Sequence, residues 1–298
     1  LGVQTLNDST LEAMERGHGS AESARSSQIA RDAGLKVGYH MMPGLPGETP
    51  ESDLATFEKL FSDESFRPDM LKLYPTLVIE GTGLYEMWKA GEYKPYDLET
   101  LVNLLADVKE KLPKWVRVQR IQRDIPVQLI EAGGKKSHLR ELVQWELEAR
   151  GTKCRCIRCR EAGHNYLRGR EPGQIELTTE EYAASGGKEH FVVFEDIDQD
   201  ILIGFARLRF PSNNAHRPET LNAAVIRELR TVSQQLPISE RGNSLQHRGY
   251  GERLINECIE ITSHAGLEKI LVTSGIGARE YYRKLGWERL GPYMVKEL

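Results

Sequence analysis

The chain has 298 residues, of which 39% are hydrophobic and 28% are charged. That length exceeds one typical domain and that composition excludes a wholly disordered chain, so we expect more than one folded part. The sequence lacks an apolar run near the ~20 residues that a membrane-spanning helix needs. Four cysteines are too few for a disulfide framework, so we expect a cytoplasmic protein that does not enter a membrane.

The net charge of −4 hides an uneven distribution. Residues 111–170 contain fifteen lysines and arginines and six acidic residues, a net charge of +9, so the remainder carries −13. A basic segment inside an acidic chain is typical of a local site for a polyanion. The alternative is a solvated linker whose charge has no binding role.

The first 110 residues alternate between helical and strand patterns. Residues 21–33 predict a helix that ends at Gly34, and residues 35–42 predict a strand. Thr49-Pro50-Glu51 begins a second helix, and residues 70–74 form a second strand pattern. This alternation predicts a parallel sheet or a βα barrel.

The rest of the chain predicts helices over 98–108 and 139–147, and then a different fold. Strand patterns at 191–195 and 201–209 flank a polar turn, which indicates an antiparallel hairpin. Further strand patterns lie at 174–177, 223–232, 269–273 and 293–295. Helical patterns follow the glycine-rich turn 248–251 and cover 278–285. Together they predict a mixed α/β sheet.

The stretch from Gln246 to Gly251, Gln-His-Arg-Gly-Tyr-Gly, fits a phosphate-binding turn between a strand and a helix. Its glycines let the backbone approach a pyrophosphate, and the following helix directs its positive end there. The alternative is an ordinary turn. With the downstream Tyr281-Tyr282-Arg283-Lys284-Leu285-Gly286-Trp287, the chain resembles the GNAT acetyltransferase family.

This resemblance implies that acetyl-CoA lies between splayed central strands. It implies that the pantetheine arm contacts the backbone of Leu229, Arg230 and Thr231, and that the pyrophosphate contacts Gln246, His247, Arg248, Gly249, Tyr250 and Gly251. Tyr281 or Tyr282 would act near the thioester sulfur, while the other packs in the core. Glu228 either is a general base or pairs with Arg227 or Arg230.

Cys154, Cys156 and Cys159 lie within six positions, and His164 follows. Thiolate and imidazole ligands in so short a loop predict a tetrahedral zinc site that pins the linker. His164, Cys258 and His40 are candidates for the fourth ligand. The alternative is three cysteines on a basic loop without a metal.

The chain as a whole resembles the Elongator catalytic subunits of archaeal and bacterial type. The resemblance rests on the cysteine cluster, the two acetyltransferase motifs and several further segments, namely 2–5, 38–48, 72–85, 120–126 and 291–296. It implies a partial radical S-adenosylmethionine βα barrel over 1–110, a basic zinc-binding linker over 111–170 and a GNAT domain over 171–298.

The resemblance implies an enzyme that uses acetyl-CoA to modify C5 of the wobble uridine, position 34 of tRNA. In that family a [4Fe-4S] cluster and S-adenosylmethionine perform a radical step, and Gly44 and Gly47 would lie near the S-adenosylmethionine. The cluster-binding cysteines of the family are absent from this sequence. We therefore expect an amino-terminally truncated chain competent for binding of acetyl-CoA and tRNA and for acetyl-CoA hydrolysis.

The basic linker then has a specific use as a tRNA-binding face. The candidates for phosphate contacts are Arg117, Arg120, Arg123, Lys135, Lys136, Arg140, Arg155, Arg158 and Arg160. Two alternatives are a protein lysine N-acetyltransferase and a scaffold that binds tRNA without turnover. A homodimer or other Elongator-type subunits are the expected protein partners.

Overall fold

The computed structural model describes residues 1–136, 138–232 and 249–298. They form two compact units. The first unit comprises Leu1–Ala24 and Val37–Ile157, and the second comprises Arg25–Lys36 and Arg158–Leu298. In these described ranges no helix has the length and apolar character needed to cross a bilayer. The division of the chain at residues 110 and 170 stays a prediction.

The first unit contains a parallel sheet with helices between its strands. Its helices are α1 (Asp8–Ala13), the start of α2 (Ser20–Asp32), α3 (Pro50–Ser62), α4 (Gly83–Lys89), α5 (Leu98–Glu110) and α6 (Leu139–Ala149). Its strands are β1 (Gly38–Met41), β2 (Met70–Leu73), β3 (Val78–Ile79), β4 (Arg117–Ile121) and β5 (Ile130–Ala132). Strands β1, β2 and β4 are parallel in that order, and β3 pairs antiparallel with β5. The predicted βα alternation is confirmed.

Local sequence explains where these helices begin. The Thr49 hydroxyl accepts a hydrogen bond from the Ser52 amide (3.2 Å), and the Ser52 hydroxyl accepts one from the Thr49 amide (2.9 Å). This reciprocal cap, with Pro50 in the first turn, satisfies donors that a helix leaves unpaired. At the start of α5, the Asp97 carboxylate accepts a single hydrogen bond from the Thr100 amide.

The second unit is a seven-stranded mixed sheet with helices α7 (Ile157–Arg160), α8 (Ala162–Tyr166), α9 (Tyr250–His264) and α10 (Arg279–Lys284). Its strands are β6 (Glu176–Ala184), β7 (Gly187–Asp196), β8 (Ile201–Phe210), β9 (Ala223–Thr231), β10 (Lys269–Val272), β11 (Glu288–Leu290) and β12 (Tyr293–Glu297). The spatial order is β11-β12-β10-β9-β8-β7-β6, and all neighbours are antiparallel except β9 and β10. The predicted mixed sheet is confirmed.

Strand β6 is longer than the sequence indicates. The pattern predicts a strand only over 174–177, whereas the strand continues to Ala184. It is the last strand of the sheet and most of its side chains are not buried. An exposed edge strand carries little hydrophobic alternation, which explains the short prediction.

Candidate functional site

The sheet of the second unit opens at its parallel pair of strands. β9 and β10 pair from Ala223 and Lys269 to Ile226 and Val272, where β10 ends. β9 continues to Thr231 along β8, and a bulge leaves Arg227 as the extra residue. On the β10 side, none of the described strands pairs with residues 228–231. The backbone of predicted cofactor residues Leu229, Arg230 and Thr231 is therefore open to a ligand on one edge.

Helix α9 supplies the second part of this site. Its first residue follows Gly249, whose φ of 69° lies in the left-handed region that glycine adopts without strain. Fifteen residues of helix direct a positive end toward this turn. The Tyr250 ring is buried against Phe194, with centroids 4.8 Å apart, so only its backbone faces the turn. The predicted residues Gln246, His247 and Arg248 lie outside the described residues.

The two candidate tyrosines of α10 have different environments. Tyr282 is 5% exposed and packs in the core against Trp287. Tyr281 is 41% exposed, and its hydroxyl lies 3.7 Å from where a Cβ on Gly251 would be. Burial, followed by the charge of Glu252, raises the pKa of Tyr281, so this hydroxyl keeps its proton at neutral pH. Tyr281 is therefore the member of the pair placed beside the first turn of α9.

Glu228 pairs with neither of the two expected arginines. Its carboxylate accepts a hydrogen bond from Arg207 Nε (3.0 Å) and lies 3.3 Å from Lys36 Nζ. Successive residues of a strand point to opposite faces, and Arg227 instead reaches Glu189. The alternative that Glu228 pairs with Arg227 or Arg230 is thus wrong, because Arg227 is bound by Glu189 and Arg230 lies 3.9 Å from Glu161.

A cavity of about 350 Å³ lies at the opening of the sheet. Its lining residues are Gly34, Leu35, Lys36, Arg227, Glu228, Leu229, Arg230 and Thr273. Three of them come from a segment near the beginning of the chain, and sequence reasoning did not assign that segment to this site.

The segment 25–36 belongs to the second unit, where buried ion pairs join it to strands of the sheet. Arg31 and Asp32 are 0% and 1% exposed, as are Arg209 and Glu189 respectively. Glu189 Oε1 lies 3.1 Å from Arg31 and 2.9 Å from Arg209, and Asp32 Oδ1 lies 2.6 Å from Arg209. In helix α2, small and polar residues take the positions where an amphipathic helix has an apolar stripe. This composition is the one signal in the sequence that the helix packs through polar contacts.

The three clustered cysteines come together as predicted from their spacing. The sulfur atoms of Cys154, Cys156 and Cys159 lie within 4.8 Å of one another, and no other His, Cys, Asp or Glu of the described residues joins the group. His164 is 3.6 Å from Glu161 instead. Cys258 is fully buried in the apolar core, and the His40 ring packs against Tyr74. None of the three candidates lies within this distance of all three sulfur atoms, and the identity of a fourth ligand stays a prediction.

The loop after β1 carries the glycines predicted to lie near S-adenosylmethionine. Gly44 and Gly47 have φ values of 81° and 83°. The Gly44 amide donates to Asp53 Oδ2 (2.8 Å), and the Gly44 carbonyl accepts from the Tyr93 hydroxyl (2.7 Å). Tyr96 also donates to Asp53. Side chains thus hold the loop in one shape from both sides.

The candidate phosphate contacts divide by burial. Arg160 is 1% exposed and pairs with Glu195 and Asp200, so it is not a surface contact, and that prediction is wrong. Arg140 donates to the carbonyls of Val118 and Gln119. Arg120, Arg123, Lys135 and Lys136 are exposed, and Arg120 pairs with Asp124; Arg117, Arg140, Arg155 and Arg158 are partly exposed.

Comparison with known proteins covers the whole chain. Residues 1–60 match the radical SAM superfamily, residues 68–149 a radical SAM C-terminal domain, and residues 156–287 the GNAT acetyltransferase family. The chain is 49% identical to a tRNA uridine(34) acetyltransferase of Methanocaldococcus jannaschii, covering 100% of this chain and 56% of that protein. It is 44% identical to human Elongator complex protein 3, covering 100% of this chain and 55% of that protein.

A solved structure agrees with these matches. The archaeal Elp3 of Methanocaldococcus infernus, with an amino-terminal deletion, superposes with a TM-score of 0.95 at 48% identity. The match covers 100% of this chain and 71% of that one. The chain spans little more than half the length of the two curated relatives named above.

Proposed function

The chain belongs to the Elongator complex protein 3 family, and on that premise we propose that it carries the acetyl-CoA-binding and tRNA-binding parts of a tRNA uridine(34) acetyltransferase. The opening between β9 and β10 is the observation that carries this proposal. A strand edge without a partner strand offers amide and carbonyl groups to the two amides of a pantetheine arm.

The remaining parts of acetyl-CoA have matching groups nearby in the second unit. The amides of the first turn of α9 and its positive end suit the pyrophosphate, and Gly249 lets the backbone approach it. Tyr281 keeps its proton and suits the role of proton donor to the departing thiolate. Leu229, Arg230 and Thr231 would hold the arm, so the acetyl group would lie at the cavity beside Glu228.

The exposed cations of residues 111–170 support tRNA as the partner. Arg123 lies over the Tyr74 ring at 5.8 Å, and the ring of His40 is 5.4 Å from the same tyrosine. Cations beside an aromatic ring suit both a phosphate and a stacked base of a single-stranded loop. Oligomeric state and other protein subunits stay predictions.

S-adenosylmethionine and a [4Fe-4S] cluster are implied by the radical SAM match. Gly47 has a left-handed backbone and open space where a Cβ would lie, which suits close approach of S-adenosylmethionine, whereas the Tyr96 ring covers the corresponding position of Gly44 at 3.2 Å. Within this chain no three cysteines have the C-x3-C-x2-C spacing of such clusters. The residues present do not fit the cluster, so we assign no radical step to them.

Zinc is the metal that best suits the cysteine group. Three sulfur ligands within 4.8 Å match a tetrahedral site, and Lys153, Arg155 and Arg158 favour the thiolate form. Elemental analysis of the purified chain should find about one zinc, and Cys154→Ser should lose the metal and lower the melting temperature. Cys258→Ser is the control for metal content alone, because Cys258 lies in the apolar core, where a buried hydroxyl lowers stability without removing a metal. A metal-free wild-type chain would contradict the site.

Acetyl-CoA hydrolysis with and without tRNA tests the function. We expect turnover that tRNA stimulates, and Gly249→Asp should abolish it by placing charge and bulk at the pyrophosphate turn. Gly266→Asp is the matched control, because Gly266 also has a left-handed backbone, with φ of 71°, and nothing within 4 Å of where a Cβ would lie. Turnover with lysine peptides alone would favour a protein acetyltransferase, and no acetyl-CoA binding by calorimetry would overturn the proposal.

The salt dependence of tRNA binding tests the basic face. Reversing Lys135 and Lys136 together to Glu should weaken binding and lower the log–log salt slope by about 1.4–1.8, at ~0.7–0.9 per phosphate contact. Reversing Lys89 and Lys94, which are exposed outside residues 111–170, changes the charge equally. Equal effects of the two double variants on tRNA affinity would mean that tRNA binding depends on overall charge and not on a specific basic face.

A further inference from the structure

The end of helix α2 is bound to the sheet of the second unit through its backbone. Helix α2 ends at Asp32, and the next three residues present their carbonyl groups to side chains of the second unit. The carbonyls of Ala33, Gly34 and Leu35 accept hydrogen bonds from Tyr293 (3.0 Å), Thr273 (2.9 Å) and Arg227 (2.9 Å). Three successive carbonyls are thus fixed by three side chains of the sheet, which sets the position of the next residue, Lys36.

Lys36 places a primary amine in the cavity at the strand opening. Its Nζ atom lies 3.3 Å from Glu228 Oε1, while Arg207 Nε holds Oε2 of the same carboxylate at 3.0 Å. The Glu228 side chain is 9% exposed and that of Lys36 is 43% exposed. Lys36 carries the one primary amine among the residues that line this cavity.

We infer that Lys36 is an internal acyl acceptor, which the chain acetylates on Nζ from its own bound acetyl-CoA. The inference rests on the acetyl-CoA site of the proposed function, because that site would bring the thioester to the same cavity. An amine fixed beside a bound thioester reacts at an effective concentration that no amine in solution reaches. A carboxylate at hydrogen-bond range of the amine completes the arrangement.

The reaction balances without any further reactant. The Lys36 ammonium gives a proton to the Glu228 carboxylate, and the neutral amine attacks the thioester carbonyl carbon. The new C–N bond forms as the C–S bond breaks, CoA leaves as a thiol after taking up one proton, and one proton is released to solvent. The products are Nε-acetyl-Lys36 and free CoA, and no group is oxidised or reduced.

Mass spectrometry with isotope-labelled acetyl-CoA tests this inference on the full chain. The chain is digested with a protease that cleaves at acidic residues, and label at Lys36 is compared with label at the exposed Lys89 and Lys94. We expect Lys36 to be labelled at least about tenfold faster, with excess unlabelled CoA slowing Lys36 alone. Equal rates at all three lysines would mean solution acetylation only and would overturn the inference.

Two variants separate acceptor from environment. Glu228→Gln removes the base and should slow labelling of Lys36 without changing Lys89. Lys36→Arg keeps the positive charge beside Glu228 and should remove label from the cavity peptide while the chain stays folded by circular dichroism. Unchanged labelling of Lys36 in Gly249→Asp would overturn the inference, since that change is directed at cofactor binding.

Calorimetry on the same sample separates this inference from the function on which it rests. A chain that binds acetyl-CoA and shows no preferential label at Lys36 contradicts the internal acceptor and leaves the acetyl-CoA site standing. A folded chain that does not bind acetyl-CoA contradicts both.

Discussion

Two helices of this protein end in the same way but in opposite surroundings. Helix α2 ends near Arg31 and Asp32 and is followed by Gly34 at φ 78°, all in the second unit. Helix α6 in the first unit ends at Ala149, and its C-cap Arg150 is followed by Gly151 at φ 66°. The charged groups at the end of α2 are buried, whereas Arg150 and its partner Asp107 are 26% and 40% exposed.

The difference shows why similar helix ends, each with an arginine and then a glycine, contribute differently to the free energy of unfolding. Arg150 reaches Asp107, Glu110 and Glu146, yet water screens each of these pairs and replaces any that is lost. At the end of α2 the carboxylates of Asp32 and Glu189 are each 1% exposed, so arginine side chains and not solvent must balance their charge. Removal of one partner there leaves an uncompensated buried charge.

The largest effect is expected from the centre of the buried group. Glu189→Gln keeps the shape but leaves Arg31, Arg209 and Arg227 without this carboxylate, so unfolding free energy should fall by about 3–5 kcal/mol. Glu146→Gln at the end of α6 removes an exposed partner of Arg150 and should cost under about 1 kcal/mol. Urea unfolding of both variants measures the contrast, and equal losses would break it.

The two glycines give the next contrast. A Cβ on Gly34 would lie 2.4 Å from Thr273 Oγ1 and 2.9 Å from a Val225 methyl carbon, whereas one on Gly151 would meet nothing within 4 Å. Gly34→Ala should therefore cost about 3 kcal/mol from left-handed strain plus overpacking, and Gly151→Ala about 1 kcal/mol from strain alone. Thermal unfolding should show the larger loss of melting temperature for Gly34→Ala. Similar melting temperatures for the two variants would contradict this order.

A buried carboxylate without an arginine sharpens the comparison through pH. Burial raises the pKa of Asp53 to about 7, against hydrogen bonds from Tyr96 and Gly44 that lower it and the nearby Glu48 that raises it. The folded state therefore binds more protons than the unfolded state between about pH 4 and 7, and stability falls as pH rises through this range. The slope is at most about 1.4 kcal/mol per pH unit.

Asp53→Asn should remove that slope, so the difference in unfolding free energy between wild type and variant should change from pH 5 to pH 7. A pH-independent difference for Asp53→Asn would contradict the raised pKa.

The smallest effect is expected at a pair exposed on both sides. Lys111 and Glu58 pair with side chains 52% and 51% exposed. Lys111→Met should change unfolding free energy by less than about 1 kcal/mol, and by less still in high salt. A larger loss in chemical denaturation would show that exposure does not decide the weight of these pairs.

Much of this protein follows from its sequence. The hydrophobic periodicity predicts the alternating helices and strands, and Thr49 with Pro50 predicts the start of α3, since local spacing and backbone chemistry decide them. The spacing of Cys154, Cys156 and Cys159 predicts their grouping, because six residues of chain cannot separate the sulfurs far.

Only the tertiary structure decides which charges are buried. In the sequence Arg160 resembles its partly exposed neighbours Arg155 and Arg158, but ion pairs with Glu195 and Asp200 bury it. Likewise Lys36 meets Glu228 across 192 positions of chain. The local sequence around a charged side chain does not indicate its distant partner. The membership of residues 25–36 in the second unit therefore depends on contacts that form only when the chain has folded.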